Sequence, residues 1–103
     1  MRKGVLELCI LSIISEAEAY PSDIIQKLKD QEMIVVEGTM YPLLSRLKNA
    51  GLLGYNWKES TSGPPRKYYH LTEEGTTFLH DLMDTWNHLV KVVAQSTKNL
   101  VSK

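Results

Sequence analysis

The segment from residue 73 to residue 101 repeats apolar side chains at steps of three and four residues. The repeat consists of Leu79, Leu82, Trp86, Leu89, Val93 and Leu100, with Ser96 polar at one position. This spacing predicts one continuous helix with a near-heptad apolar seam. At 1.5 Å per residue, its length is on the order of 43 Å, which exceeds the width of a domain this size. We therefore expect the seam to pack against a second copy of the chain.

The N-terminal segment predicts another helix, over residues 2–17, with more apolar surface than one stripe. Its apolar side chains run from Val5 to Ile14 and occupy more than one helical face. A helix that is apolar nearly all round is buried on several sides, and a chain of 103 residues has room for one modest core. A partner subunit would supply the missing cover. Leu8 is therefore predicted to join the dimer interface together with the C-terminal seam.

Two shorter helices are predicted between these segments. The first covers residues 21–31 and begins at Pro21, a residue that suits the first helical position. An extended linker over 33–36 leads to a helix over 39–50. Thr39 is predicted to cap that helix, which places Pro42 in its first turn. Gly51 follows as the left-handed C-terminal cap.

A β-hairpin is predicted after the third helix. Residues 52–60 alternate apolar and polar side chains, and residues 66–71 are rich in tyrosine, so both segments favour strands. Residues 61–65 read TSGPP, a composition typical of a loop. Thr72 then caps the final helix. The predicted class is mainly helical, with one small hairpin and a long C-terminal helix.

Net charge is zero, but it is unevenly divided along the chain. Residues 38–70 carry five basic residues against one acidic residue, whereas residues 4–37 carry two basic residues against seven acidic ones. Residues 71–90 carry four acidic residues and no Lys or Arg. This asymmetry favours one positive face. A solvated surface with no partner is the competing interpretation.

Several classes of function find no support in the sequence. No Ser-His-Asp or Cys-His arrangement and no Gly-rich phosphate loop suggests an enzyme, and no cofactor is expected. His80, Asp84 and His88 share a helical face, but no fourth ligand is evident, so we expect no metal. The single cysteine, Cys9, fits a buried apolar position. No apolar run is long enough to span a membrane, and the chain is expected in the cytoplasm.

The order of elements, three helices and then a hairpin, suits a winged helix-turn-helix. In that architecture the second helix of the pair enters the major groove of double-stranded DNA, and the hairpin tip lies over the backbone or minor groove. Both basic sites would then lie on one surface. The predicted contacts are Thr39, Tyr41, Ser45, Arg46 and Lys48 on the helix, and Gly63, Arg66 and Lys67 on the hairpin. Tyr41 could equally pack against the preceding helix.

Two motif blocks then carry a specific resemblance. GTMYPLLSRL at 38–47 and GPPRKYY at 63–69, continued by LTEEG at 71–75, resemble the PadR family of bacterial transcriptional regulators. The likeness covers nearly the whole chain. One departure is YPS at 20–22, where the family often has a Gly-Tyr pair, and we expect it to change only the entry into the second helix.

The resemblance implies a sequence-specific regulator, in particular an effector-responsive repressor that binds a pseudo-palindromic operator as a homodimer. The short subfamily implies a DNA-binding domain over residues 1–71 and a dimerisation helix over 72–103. Its dimer contacts would be Leu8, Leu79, Leu82, Trp86, Leu89 and Val93. Trp86 would either stack a flat aromatic effector or pack in the dimer core. A winged-helix module for protein interaction or small-molecule sensing, without specific DNA binding, is the alternative.

Overall fold

The computed structural model describes residues 2–60 and 63–101 and is mainly helical. Three helices come first: α1 (Arg2–Glu16), α2 (Pro21–Asp30) and α3 (Glu37–Asn49). A two-stranded antiparallel hairpin follows, formed by β1 (Leu53–Ser60) and β2 (Gly63–Leu71). The chain continues with α4 (Glu73–Ser96) and the four-residue α5 (Lys98–Val101). The predicted class and element order are confirmed.

The core is built around α1, which packs against α2, β2 and α4. Ile10 and Leu11 are fully buried, and Leu8, Ile13 and Ile14 are nearly so. At about 100° per residue, these positions spread over more than half of the helix circumference. The expectation that α1 is covered on several sides is therefore confirmed. Much of that cover comes from its own chain, because Leu8 is already buried without any partner.

The turn between α2 and α3 is made by a residue in the left-handed conformation. Glu32 has φ 64°, which is a costly value for a side chain with a Cβ. Its N–H donates to the Lys29 carbonyl at 2.9 Å, and the Met33 N–H donates to the Leu28 carbonyl at 2.8 Å. These two bonds form a Schellman motif that satisfies the last carbonyls of α2. They set the direction in which the chain enters α3.

The start of α3 differs from the prediction. The helix begins at Glu37, and Val36 occupies the N-cap position with no side-chain hydrogen bond. Thr39 lies inside the first turn, where its N–H donates to the Val36 carbonyl at 3.0 Å, so its predicted role as the cap is wrong. Pro42 consequently lies inside the helix, beyond the first turn. The carbonyl that it leaves without a helical partner belongs to exposed Gly38, where solvent can take the bond.

The hairpin also begins its second strand earlier than predicted. β2 starts at Gly63, so Pro64 and Pro65 are extended residues of the strand. The strand register runs from Leu53 opposite Leu71 to Lys58 opposite Arg66, and a bulge follows between Lys58 and Ser60. The two prolines fall at this irregularity, where a missing N–H breaks no ladder hydrogen bond. Residues 61 and 62 of the predicted loop lie outside the described residues.

The base of the hairpin is tied to the connection between α1 and α2. Ala19 and Tyr69 form an isolated antiparallel bridge, in which each N–H donates to the other carbonyl, at 3.1 Å and 2.8 Å. Tyr69 is buried, whereas Tyr68, on the opposite face of the strand, is half-buried. Tyr69 therefore belongs to the core of the chain.

A compact junction joins the end of α3, the start of β1 and the start of α4. Gly51, at φ 82°, confirms the predicted left-handed cap, and the hydrogen bonds around it form a second Schellman motif at the end of α3. The Thr72 N–H donates to the Leu52 carbonyl at 3.1 Å, and the Thr72 hydroxyl donates to the Gly51 carbonyl at 2.6 Å. The same hydroxyl accepts from the Gly75 N–H at 2.9 Å, so Thr72 caps α4, as predicted.

The C-terminal helix is interrupted rather than continuous to residue 101. α4 ends at Ser96, and Thr97 leaves helical geometry with φ −107° and ψ 5°. The Thr97 hydroxyl donates to the Val93 carbonyl at 2.7 Å, and the Thr97 N–H shares that acceptor at 3.0 Å. This local bonding competes with continuation of the helix. At 24 residues, α4 is about 36 Å long.

The apolar seam of α4 changes environment along its length. Leu79 is buried in the core of its own chain, and the half-buried Leu82 and Trp86 pack against that core. Val90 and Val93 remain 46% and 51% exposed. The first part of the seam is thus covered within one chain, and the later part is not.

The junction predicts a large difference between two Gly→Ala substitutions in helices. A Cβ at Gly75 would lie 2.0 Å from the Leu52 carbonyl oxygen, whereas a Cβ at Gly38 would meet nothing within 4 Å. We expect Gly75→Ala to lower the free energy of unfolding by about 1–3 kcal/mol, since backbone must move. Gly38→Ala is expected to raise it by up to about 1 kcal/mol. Urea unfolding followed by circular dichroism, at one protein concentration, compares them; equal effects would contradict the prediction.

The left-handed residue in the α2–α3 turn predicts a stabilising substitution. Glu32→Gly removes the strain of a positive φ, and we expect a gain of about 1 kcal/mol in the free energy of unfolding. Gln31→Gly is the matched control, because Gln31 has φ −99° and gains nothing from glycine. Thermal unfolding of both variants measures the difference. A destabilised Glu32→Gly protein would contradict the prediction, because it would show that the positive φ of Glu32 does not reduce the free energy of unfolding.

Candidate nucleic-acid interface

One face of the hairpin presents a row of aromatic rings with ammonium groups above them. Tyr55 lies opposite Tyr69 and Trp57 lies opposite Lys67 in the strand register. The Lys67 Nζ is 4.2 Å from the centroid of Tyr55 and 5.4 Å from that of Trp57. The Lys48 Nζ, from α3, lies 5.5 Å from the same Tyr55 ring. Cation–π attraction therefore holds two lysines of separate elements on one ring.

The other face of the hairpin packs toward the start of α2. The Arg66 guanidinium lies 4.7 Å from the ring centroid of Tyr20, and Tyr20 meets Tyr68 edge-to-face at 5.1 Å. The Lys58 Nζ lies 4.9 Å above Tyr68 and also pairs with the Glu18 carboxylate. Stacking on a ring restricts the guanidinium but leaves its N–H groups free to bond an acceptor.

A cleft of about 450 Å³ opens between α2, α3 and the hairpin. Its walls contain four aromatic rings, two cations and two serine hydroxyl groups, and no carboxylate is among the described residues that line it. The lining residues are Tyr20, Pro21, Ser22, Tyr41, Ser45, Trp57, Arg66, Lys67 and Tyr69. Cations, hydroxyls and ring faces together suit a phosphate–sugar backbone, because phosphate oxygens accept from such donors.

The cleft unites four of the residues that the sequence predicted as DNA contacts. Tyr41 and Ser45, one helical turn apart on α3, face Arg66 and Lys67 across it. Tyr41 is 47% exposed, so it is not consumed by packing. Lys48 adjoins this group through the Tyr55 ring.

The remaining predicted contacts lie outside the cleft. Thr39 is exposed in the first turn of α3, and Gly63 is exposed at the start of β2. The Arg46 guanidinium turns toward α1, where it bonds the Glu7 carboxylate at 2.5 Å. An arginine on the predicted recognition helix is therefore already paired within the chain.

Five lining residues of the cleft were not among the contacts predicted from the sequence: Tyr20, Pro21, Ser22, Trp57 and Tyr69. Tyr20 and Ser22 belong to the YPS segment at 20–22, whose effect was expected to be confined to the entry into α2. Trp57 is 62% exposed and lines the cleft. The usable signal for Trp57 was its position, because it lies farther along β1 than Tyr55 and so extends beyond the core.

Burial changes the chemistry of the ring at the base of the cleft. The pKa of the Tyr69 phenol is raised, first by burial and then by the neighbouring Tyr55 and Tyr41 phenols. The neutral form of the Tyr69 phenol therefore persists to higher pH in the folded chain than in the unfolded one, because its pKa is raised.

Metal-binding and membrane-spanning features are absent from the same residues. Across 2–60 and 63–101, no three His, Cys, Asp or Glu side chains are grouped so that they could hold a metal ion. No helix among the described residues has both the length and the hydropathy that crossing a membrane requires.

Three helices followed by a hairpin, with a basic cleft between the helix pair and the hairpin, define a winged helix-turn-helix protein. The model of the "transcriptional regulator PadR-like family" matches residues 10–81. This match covers most of the chain. The chain belongs to the PadR-like family.

Solved structures of similar proteins agree with this assignment. A PadR-like transcription factor from Bacteroides fragilis is 58% identical, with 92% of each chain covered and a TM-score of 0.83. A PadR-like regulator from Bacillus cereus is 39% identical, covering 100% of this chain and 97% of that one, with a TM-score of 0.78. A PadR family regulator from Eggerthella lenta is 35% identical, covering 91% and 82%, at 0.83.

Family membership makes the chain a DNA-binding transcriptional regulator and not an enzyme. This coarse assignment agrees with the function that the motif blocks implied. The contact residues, the dimer, the operator and the effector stay predictions.

The raised pKa of Tyr69 predicts how stability depends on pH. A phenol whose pKa is higher in the folded chain than its unfolded value of about 10 favours folding below that pH. The contribution is lost as pH rises through the folded value. We expect Tyr69→Phe to lose less stability than wild type above about pH 10. Urea unfolding at neutral and alkaline pH measures the change, and equal losses in both proteins would contradict it.

Proposed function

We propose that the chain acts as a homodimeric repressor that binds a pseudo-palindromic operator and responds to a small effector. The observation that carries the proposal is the cleft between α2, α3 and the hairpin. It combines Arg66 and Lys67 with ring faces and hydroxyls, and its described lining holds no acidic residue. Such a surface favours a polyanion, and among polyanions the family favours DNA.

The proposed docking follows from the order of elements. α3 would enter the major groove, with Tyr41, Ser45 and Lys48 toward the DNA, and the hairpin would lie along the backbone. Arg66 and Lys67 would contact phosphates. Their positions on aromatic rings support this role, because a side chain already restricted loses less entropy when it binds. Trp57 is proposed as a further contact, stacking on a sugar or base.

The proposed dimer uses the later part of α4. Val90 and Val93 are exposed, and Met83 is 41% exposed on the same helix. Burying them against a second copy would remove apolar area from water. Leu82, Trp86 and Leu89, all half-buried, would complete the contact; Leu8 and Leu79 would support it from within each core. This arrangement keeps residues 1–71 as the DNA-binding unit and 72–103 as the dimerisation unit.

A two-fold dimer would present two copies of α3 to successive turns of the duplex, with half-sites about 34 Å apart. Trp86 is proposed to contact a flat aromatic effector near the dimer contact, because its ring is half-buried and lies just before the exposed part of the seam. Quenching of its fluorescence tests this contact. Trp57→Phe should keep the quenching, and Trp86→Phe should abolish it.

The function is tested by fluorescence anisotropy. DNA from the region upstream of the gene for this chain is compared with a scrambled duplex of equal length over a salt series. Tight binding to the first and weak binding to the second, with a steep salt dependence, supports a sequence-specific regulator. Equal and weak binding to both duplexes, together with the same result for DNA from other promoters, would contradict the proposed function.

Single substitutions test the assigned contacts. Arg66→Ala and Lys67→Ala should each make the slope of log K against log[salt] shallower. Its magnitude should fall by about 0.9 for every phosphate that the side chain neutralises. Lys91→Ala is the matched control, because Lys91 is an exposed lysine on α4, away from the cleft. Its slope should equal that of wild type. Unchanged slopes in the hairpin variants would remove Arg66 and Lys67 from the interface.

A further inference from the structure

The five basic residues of segment 38–70 fall into two structural sets. Lys48, Arg66 and Lys67 lie over aromatic rings, and within the described residues no carboxylate pairs with them. Arg46 and Lys58 each pair with a carboxylate from the N-terminal part of the chain. Arg46 and Lys48 look alike in the sequence, but the structure separates them.

Of these two ion pairs, the one between Glu7 and Arg46 has the carboxylate that is better shielded from water. Glu7 lies in the middle of α1, its side chain is 17% exposed, and its carboxylate accepts from Arg46 at 2.5 Å. A carboxylate this shielded from water holds its cation more strongly than an exposed one, because the local dielectric is lower. Releasing Arg46 toward DNA would leave Glu7 charged and poorly solvated.

Helical geometry explains why Arg46 and Ser45 have different surroundings. Consecutive residues on a helix are about 100° apart. Ser45 lines the cleft, and the next residue points around α3 toward α1. Arg46 therefore lies at the edge of the face that would meet DNA, with its guanidinium bonded to Glu7 of α1 and its side chain 50% exposed.

The pair between Glu18 and Lys58 repeats the arrangement on the hairpin. Lys58 lies opposite Arg66 in the strand register, so two positive charges are cross-strand neighbours. Like charges in that position repel. Glu18, from the segment between α1 and α2, contacts Lys58 and offsets this repulsion. Of the two cations in this cross-strand pair, Arg66 has no carboxylate partner among the described residues and stacks on Tyr20.

We propose that Glu7 and Glu18 are internal counter-ions that withhold Arg46 and Lys58 from the phosphates of bound DNA. The inference rests on the proposed DNA binding. It specifies how many basic side chains of each chain contact phosphates. Lys48, Arg66 and Lys67 then supply the phosphate contacts, three per chain instead of five. Glu7 and Glu18 are positioning residues, because they act through the basic residues that they hold.

The salt dependence of DNA binding distinguishes a withheld cation from a bound one. The slope of log K against log[salt] is negative, and each phosphate that a cation neutralises increases its magnitude by about 0.9. Arg46→Gln should therefore leave the slope unchanged. Glu7→Gln keeps the size and the hydrogen-bonding oxygen but removes the charge, and it should steepen the slope by about 0.9 per chain as Arg46 becomes available.

The double variant Glu7→Gln/Arg46→Gln provides the decisive control. It leaves no shielded unpaired charge, so its folding does not depend on the ion pair, and its slope should return to the wild-type value. Asp84→Asn on α4 removes the same net charge at an exposed site on another element, and it should not change the slope. The same series with Glu18→Gln and Lys58→Gln examines the second pair. Circular dichroism confirms that each variant is folded.

Three results would overturn the inference and leave the proposed function intact. The first two are a salt slope whose magnitude falls by about 0.9 in Arg46→Gln, and a Glu7→Gln slope equal to that of wild type. A slope steepened equally by Asp84→Asn would also overturn it, because general charge would then be responsible. A wild-type chain without salt-dependent binding to DNA would overturn both proposals.

Discussion

The architecture depends on one backbone junction, at which Thr72 and Gly75 meet Leu52 and Gly51. Thr72 bonds both carbonyls that follow α3 and caps α4 with the same hydroxyl. Gly75 must lack a side chain because its backbone is pressed against the Leu52 carbonyl. A few hydrogen bonds among these four residues thus join the end of α3, the base of the hairpin and the first turn of α4. A shift of α4 at this point would therefore break the hydrogen bonds that join Thr72 to Gly51 and Leu52.

The second organising element is α1, which packs against α4 and also contacts α3 through an ion pair. Its buried side chains pack against α2, β2 and α4. Its Glu7 also bonds Arg46 on α3. A change in how α4 packs on α1 would therefore reach α3 by direct contact, through packed side chains and an ion pair. In the proposed function, α1 would provide the connection between a dimer contact on α4 and the helix that meets DNA.

Sequence patterns predicted the elements well and their boundaries less well. Periodicity identified every long helix and the hairpin, because burial of an apolar face imposes it. The predicted Thr39 cap failed because the N-cap position lies three residues earlier, at Val36, which has no capping side chain, and the helix begins at Glu37. The TSGPP segment was assigned to a loop from composition, yet its prolines extend β2 opposite a bulge.

The sequence by itself determined the class of protein, because the two motif blocks and the order of elements carry that information locally. It also identified Tyr41, Ser45, Arg66 and Lys67, which the tertiary structure then brought into one cleft. Only the tertiary structure added Tyr20 and Trp57 to that cleft and separated Arg46 from Lys48. The reason is physical: charge is visible in a sequence, but the partner that neutralises it lies 39 residues away and is found only when α1 and α3 are packed together.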